Sequence, residues 1–326
     1  MEPFMPVKHP SSSKFRILLM SIMTVLFVGI MTSLPASALE LGGGYTIRTY
    51  ASPDPDSVNS HFIETPGGVI VISAQRTFSE ANRAIARVER IGKPVIAIVI
   101  PVPHTDHFGG LTRWKDAWPD ADILAAEATI TSMRTDGEGY IASRKDALRD
   151  DFPSQAEVLA ALPNIVVTDG QEIDVDGLSM RFHDLPSNNA PTNTMVELPD
   201  HDVLFASEVV EDGITLFLKD ADLDVWLDQL DALEADLADY RVFYPAHGSP
   251  GAPGPLIAAA KAHLEFYRDG IDAALADDGI VDERETADLV ARIEAAYPDH
   301  AQVARLLRSD LIAANIGWQT ERRSAE

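Results

Sequence analysis

Apolar residues along this chain follow two rhythms, and the order in which they alternate predicts the architecture. Tyr45-Thr46-Ile47-Arg48-Thr49-Tyr50 alternates with a period of two, as an edge strand does. A Pro/Asp turn over Ser52 to Asp56 leads into a second strand, Val58 to Ile63, and Gly67-Gly68 turns the chain into a third, Val69 to Ile72. Phe78, Ala81, Ile85, Val88 and Ile91 then recur at helical spacing, and Gly92-Lys93-Pro94 ends that helix. The unbroken apolar run Val95 to Ile100 reads as a buried strand, which completes a strand–helix–strand unit.

Residues 127–162 are polar and helical in pattern, broken near Gly137-Glu138-Gly139 and Pro153, and have the character of an insertion able to roof a site. Strands resume at Ile165–Val167, Leu178–Phe182, Thr194–Leu198 and Val203–Phe205. A helix over Leu223–Leu237 precedes a last strand, Val242–Tyr244. From Pro255 onward the spacing is helical to the end. There Leu264, Tyr267, Ile271, Leu275, Leu289 and Ile293 are placed either to pack onto the parent domain or to serve dimerisation or partner docking. The pattern alone gives an α/β chain with mixed sheets.

The first residues do not belong to that domain. Lys8, Lys14 and Arg16 precede an apolar run of 14 residues, Ile17 to Ile30, and Ser33-Leu34-Pro35-Ala36-Ser37-Ala38 follows. This order is that of a secretory signal cleaved after Ala38, and the run is short for a bilayer span of about 20 residues. The expected organisation is therefore a signal peptide over 1–38, an α/β domain over 39–254 and a helical C-terminal extension over 255–326. The mature protein is expected in the periplasm or outside the cell, with no stable membrane anchor after cleavage.

Composition narrows the chemistry. The 326 residues include no cysteine, which removes disulfides, a lipid anchor through Cys, and thiolates as nucleophiles or metal ligands. Any metal must be held by His, Asp, Glu or neutral oxygen donors. A formal charge of −25 repels polyanions and argues against nucleic acid, leaving a small-molecule substrate or a protein partner. There is no Gly-x-Ser-x-Gly elbow, phosphate loop or dinucleotide fingerprint.

One stretch carries a metal-site signal. Val102-Pro103-His104-Thr105-Asp106-His107-Phe108-Gly109-Gly110 follows the buried strand directly, so its imidazoles and carboxylate leave a strand end together. It resembles the His-x-His-x-Asp-His-x-Gly-Gly loop of the metallo-β-lactamase superfamily, with Val102 where the pattern has its first His. The resemblance extends from about Tyr45 to Gly248. Thr65 to Gln75 resembles the family's opening strand, with Ser73 where an Asp usually supports the metal loop. Leu185 to Thr194 lies where the family supplies a further His or carboxylate, and the nearest candidate is Asn189, with His183 as a substitute. Ser207-Glu208 stands for a Gly-Asp whose Asp bridges two metals, and Phe243 to Gly248 matches the Pro-Gly-His-Gly loop and keeps His247.

The resemblance implies a four-layer αβ/βα sandwich with the site at one edge of the paired sheets. Of the family's two metals, it leaves the first with His104 alone, because Val102 and Asn189 replace its other ligands. The second keeps Asp106, His107 and His247, with Glu208 as a fourth. One branch of the family also works with a single metal in that second position, but through a Cys that this chain lacks. Two readings follow. In the first, one zinc ion held among His104, Asp106, His107, Glu208 and His247 activates water for ester-, amide- or thioester-type hydrolysis, with Asp106 and His104 in catalytic roles. In the second, the fold has lost its metal and serves as a binding or scaffold protein. Phe108, Trp114 and Trp118 either wall the site or pack a helix onto the sheet. His61, His201, His263 and His300 have no ligand-like neighbours and read as structural or exposed.

Overall fold

The structure, a computed structural model, describes residues 38–186, 189–237, 239–300 and 310–325. The expected signal peptide lies outside the described residues, apart from Ala38. Among the described residues no helix is long and apolar enough to cross a membrane.

Two sheets organise the chain. The first has seven strands that neighbour one another in chain order: β1 (Leu39–Gly42), β2 (Tyr45–Tyr50), β3 (Ser60–Glu64), β4 (Val69–Ile72), β5 (Val95–Val99), β6 (Asp122–Ala126) and β7 (Ile165–Val167). It is antiparallel as far as β4 and parallel from β4 to β7. The parallel half needs crossovers. α1 (Phe78–Glu89) makes the first, α2 (Thr105–Phe108) and α3 (Leu111–Ala117) the second, and α4 (Glu127–Thr135), α5 (Tyr140–Leu148) and α6 (Gln155–Ala160) the third.

The second sheet is built from β8 (Glu172–Val175), β9 (Leu178–Pro186), β10 (Thr192–Leu198), β11 (Val203–Ser207) and β12 (Val242–Pro245), in the order β12-β11-β10-β9-β8. Only the β11–β12 pair is parallel, and α7 (Leu223–Leu237) lies between these strands in the chain. Three further helices follow: α8 (Pro253–Asp278), α9 (Glu283–Ala296) and α10 (Leu311–Arg323).

Strand alternation divides the core into layers. On β4, Ile70 and Ile72 face the second sheet, whereas Val69 and Val71 face α1 and α3. On β11, Val203 and Phe205 point toward the first sheet, and Leu204 and Ala206 point toward the helices α7 and α8. Each sheet is thus buried on both faces, so β4, β5 and β11 read as continuous apolar runs. The result is an αβ/βα sandwich, with α7 to α10 covering the outer face of the second sheet.

Three strands fall outside those the sequence pattern predicts. β1 and β8 are four-residue strands at sheet edges with only partial burial, and β6 ends in Ala125-Ala126, which adds little to an alternation signal. The predicted strand from Val58 begins instead at Ser60 and runs to Glu64.

His61 on β3 joins the two sheets. Its Nε2 donates to the Pro245 carbonyl (3.2 Å), its Nδ1 accepts from the Thr49 hydroxyl (3.0 Å), and its ring lies against Phe205 and Tyr244. Burial pushes its pKa down to about 4, against an ordinary value near 6.5. Because the folded value is depressed, the unfolded chain takes up a proton first as pH falls. Stability is intact above about pH 6.5 and declines between there and about pH 4, by a contribution on the order of 3 kcal/mol. Replacing His61 with Gln should flatten that part of the profile in urea melts at stepped pH. An unchanged slope would show that other groups carry the acid sensitivity. Of the remaining histidines without ligand-like neighbours, His201 lies against Tyr45, and His263 and His300 stack with Tyr297.

Candidate functional site

Four strand ends of the sandwich, those of β4, β5, β11 and β12, meet at one edge. The loop after β5 carries His104 directly ahead of α2, so Asp106 and His107 leave from a single helical turn. This loop is locked to the exit of β4: Ala74 N donates to the His107 carbonyl and Gly110 N to the Gln75 carbonyl, each at 2.7 Å. A Cβ at Gly109 would lie 2.0 Å from the Arg76 carbonyl, and one at Gly110 would lie 2.4 Å from that of Ala74. The Gly-Gly pair is therefore required by backbone approach.

Left-handed residues turn the strand ends into the site. Ser73 and Gln75 have φ of 70° and 71° after β4, and Ser207 has φ of 53° just before Glu208. Such strain, of order 1–3 kcal/mol per residue, persists where surrounding contacts fix it. Here Gln75 accepts from Ser57 Oγ and donates to the Val58 carbonyl, both at 2.7 Å. The β12 loop is pinned by Asn59, whose Nδ2 donates to the carbonyls of Pro245 (3.1 Å) and Gly248 (2.9 Å) and so fixes the approach of His247.

Glu208 lies at the centre. Its Oε2 is 2.7 Å from His104 Nδ1 and accepts from Asn189 Nδ2 at 2.8 Å, while its Oε1 is 3.1 Å from His107 Nε2. Burial works against its charge, but the two imidazoles prevail and hold its pKa well below the carboxylate range. Likewise burial opposes a charged His104, and Glu208 reverses this to raise its pKa. Asp106 is buried too, yet Arg76 at 3.1 Å and His247 at 3.4 Å, both on Oδ2, hold its pKa well below normal. Glu211 behaves oppositely: burial, then the charges of Glu208 and Asp106, push its pKa well above the ordinary value.

Buried donors fall into two groups, His104–Asp106–Glu208 and Glu208–Glu211–His247. Within each group the potential ligand atoms lie within 4.8 Å of one another. Glu208 belongs to both. Among the described residues, His104 Nε2 and Glu211 Oε2 are buried without a hydrogen-bond partner, which is the condition of atoms awaiting a ligand. This donor set, imidazole and carboxylate around a shared oxygen, fits one divalent ion.

Of the residues singled out in the sequence, His104, Asp106, Glu208, His247 and Asn189 line a common cleft. His107 does not line it. It is fully buried, with Nδ1 2.8 Å from Ser73 Oγ and Nε2 on Glu208, so the short Ser73 still reaches the imidazole that the family pattern assigns to an Asp. Asn189 presents its amide nitrogen to Glu208 and its oxygen to Asn193 Nδ2 (3.1 Å), which leaves it a positioning group. His183 is not brought in, since its Nε2 lies 2.6 Å from Glu197 in a separate cluster with Arg181 and Tyr240. Val102 is fully buried. Trp114 packs α3 onto the first sheet, stacks on Trp118 and donates to the Ala74 carbonyl at 3.1 Å.

Sequence reasoning missed Arg76, Tyr140, Arg144, Glu211, Ile214, Phe217 and Leu311, all of which line the cleft. Tyr140 and Arg144 come from α5, inside the insertion expected to roof a site. Leu311 opens α10, and that helix also fixes the neighbouring wall. Asn315 Oδ1 accepts from Leu218 N (2.9 Å), and Gln319 Nε2 donates to the carbonyls of Leu218 (2.6 Å) and Ala221 (2.9 Å). The only sequence signal for Glu211 is its spacing of three from Glu208.

Residues 53–247 match the family profile described as the metallo-beta-lactamase superfamily. The chain belongs to the metallo-β-lactamase superfamily. A metallo-β-lactamase family protein from Thermus thermophilus superposes with a TM-score of 0.59 at 19% identity, covering 86% of this chain and 94% of that one. A metallo-β-lactamase from Pontibacter korlensis gives 0.53 at 17% identity, covering 70% and 98%. These likenesses establish the fold alone. An (R)-specific secondary-alkylsulfatase from a Pseudomonas species is 26% identical over 179 residues, 46% of this chain and 26% of that protein. A type 2 metallo-β-lactamase from Bacteroides fragilis is 28% identical over 93 residues, 28% of this chain and 37% of that one. The chain thus spans well under half the length of either relative. As a superfamily member it is hydrolase-like, with candidate metal-ligating residues in its cleft.

Proposed function

We propose that this protein is an exported one-metal hydrolase, holding one zinc ion around Glu208 and cleaving an ester-, amide- or thioester-type bond in a small molecule. The observation that carries the reading is the position of Glu208, common to two groups of buried donors whose His104 Nε2 and Glu211 Oε2 lack partners among the described residues. His104, Asp106, Glu211 and His247 are the side chains that would share the ion with it. One ion is favoured over two, because Val102 removes a donor and the Arg76 guanidinium already supplies Asp106 with positive charge.

Zinc would supply a nucleophilic water near neutral pH and withdraw electron density from the bond to be cleaved. The remaining work falls to the chain. Asp106, kept ionised by Arg76, orients the attacking water. His104 is anchored to Glu208 through Nδ1, which leaves its unpartnered Nε2 as the atom that would help hold the ion. Asn189 and His107 fix the Glu208 carboxylate between them. Export rests on the basic flank, apolar run and Ala38 cleavage site of the N-terminus, and an N-terminus at Leu39 on the protein recovered from the periplasm or medium would bear it out.

The test is elemental analysis of the full mature protein purified without a metal-binding tag. About one zinc per chain is expected, falling to a small fraction in His247→Ala, together with turnover in an ester, lactam and thioester screen. A folded protein that holds no metal and refuses added zinc would overturn the proposal in favour of a metal-free binding protein. That alternative has Arg76–Asp106 and His104–Glu208 as internally neutralised pairs.

A further inference from the structure

Arg144 on α5 lines the metal cleft and is 9% exposed, yet among the described residues it makes no ion pair. Its one hydrogen bond is a weak one, 3.5 Å to Ser143 Oγ, and its Nε is buried with no acceptor. Asp106, whose charge acts on it, is already held by Arg76 and His247. Burial and the neighbouring Arg76 both disfavour its charge. Asp106 and Asp56 favour its charge only through their fields, without an ion pair among the described residues, and an oxyanion with two acceptors matches its fork.

The opposite character lies next to it. Phe217 packs edge-on against His104, with centroids 5.5 Å apart, against Tyr140 at 6.3 Å and against Trp318 at 5.5 Å. Phe217 and Tyr140 make, with Ile214 and Leu311, an apolar wall on the same cleft. The wall is held by the buried amides of Asn315 and Gln319, so it is a built surface.

We propose that the cleft takes an anionic amphiphile, a small molecule whose oxyanion is received by Arg144 while its hydrocarbon portion lies on Tyr140, Phe217, Ile214 and Leu311. This deepens the hydrolase reading and rests on it in taking the cleft as the substrate site. The charge of the whole chain sharpens the inference. At −25 the protein repels anions in general, so an anion captured here is captured by local groups.

The experiment is isothermal titration of the mature protein, as purified without a metal-binding tag, with 1-octanesulfonate, whose carbon–sulfur bond resists hydrolysis. 1-Octanol, octyltrimethylammonium and inorganic sulfate are the comparison ligands. One octanesulfonate per chain is expected, with the alcohol and the cation bound about tenfold to a hundredfold more weakly, the difference made by charge-assisted hydrogen bonds. Arg144→Gln should lose that difference with unchanged zinc content and unchanged octanol binding, and Arg144→Lys should recover part of it. Phe217→Ala should weaken octanesulfonate and octanol alike but leave sulfate unaffected. Undiminished octanesulfonate affinity in a folded Arg144→Gln protein would overturn the proposal, as would equal affinity for octanol and octanesulfonate. Zinc content read on the same samples separates the two hypotheses. Metal present without Arg144-dependent binding removes only the anion receptor, and Arg144-dependent binding without metal removes only the hydrolase.

Discussion

Glu208→Gln is expected to strip the bound metal and lower hydrolysis by about a hundredfold to a thousandfold, the scale on which losing a charge-stabilising group acts. The substitution preserves shape and removes one charge. Three donors converge on this carboxylate, from His104, His107 and Asn189, so a Gln must aim its own NH2 at one of them. The clash costs about 1–3 kcal/mol of stability, too little to unfold the domain on its own. Zinc content, melting temperature and turnover of whichever ester, amide or thioester the wild-type cleaves would be read together. Loss of metal and rate with a modest drop in melting temperature is the expected result. Full metal content with full activity would show that Glu208 merely organises two imidazoles.

The parts of this protein legible in the sequence share a physical property: their signal is local. Val95 to Ile100 is apolar on both faces because both faces of β5 are covered, and the ligand loop follows it without a gap. The same holds for α7, whose bounds Leu223 and Leu237 match the helical spacing. Phe205 and Glu208 can be placed from their neighbours alone. The rest of the site comes from residues whose meaning is set by what the fold brings to them. Arg76 reads in sequence as a polar residue after a strand, and only the left-handed turn at Ser73 and Gln75 carries it to Asp106. Arg144 reads as one charge on a polar helix, and its lack of an ion pair among the described residues is a fact of tertiary packing. Leu311 lies more than a hundred residues beyond Glu208 in the chain, yet it borders the same cleft. The Val102 substitution is visible at once. What it leaves behind is not, because Glu211, which enters beside Glu208, comes from a stretch with no periodicity.

Arg76→Leu should be the most destabilising change at the site in metal-free protein, costing about 3–5 kcal/mol, the range seen when one partner of a buried ion pair is removed. Both side chains are largely out of water, Asp106 at 4% exposure and Arg76 at 8%, and no other guanidinium or ammonium pairs with Asp106 among the described residues. Chemical denaturation at pH 7, after chelation, measures the cost. The double variant Arg76→Leu/Asp106→Asn then separates charge from packing. If the loss arises from an unpaired buried carboxylate, neutralising Asp106 returns much of it, and the two changes couple strongly. A packing defect would leave the double variant at least as unstable as the single one. Added zinc provides an independent arm. An ion that uses Asp106 as a ligand stabilises Arg76→Leu by about 2.7 kcal/mol at a hundredfold excess over its dissociation constant. A cation then stands in for the guanidinium, and a zinc-dependent rescue confined to variants that keep Asp106 would identify this carboxylate as part of the metal site.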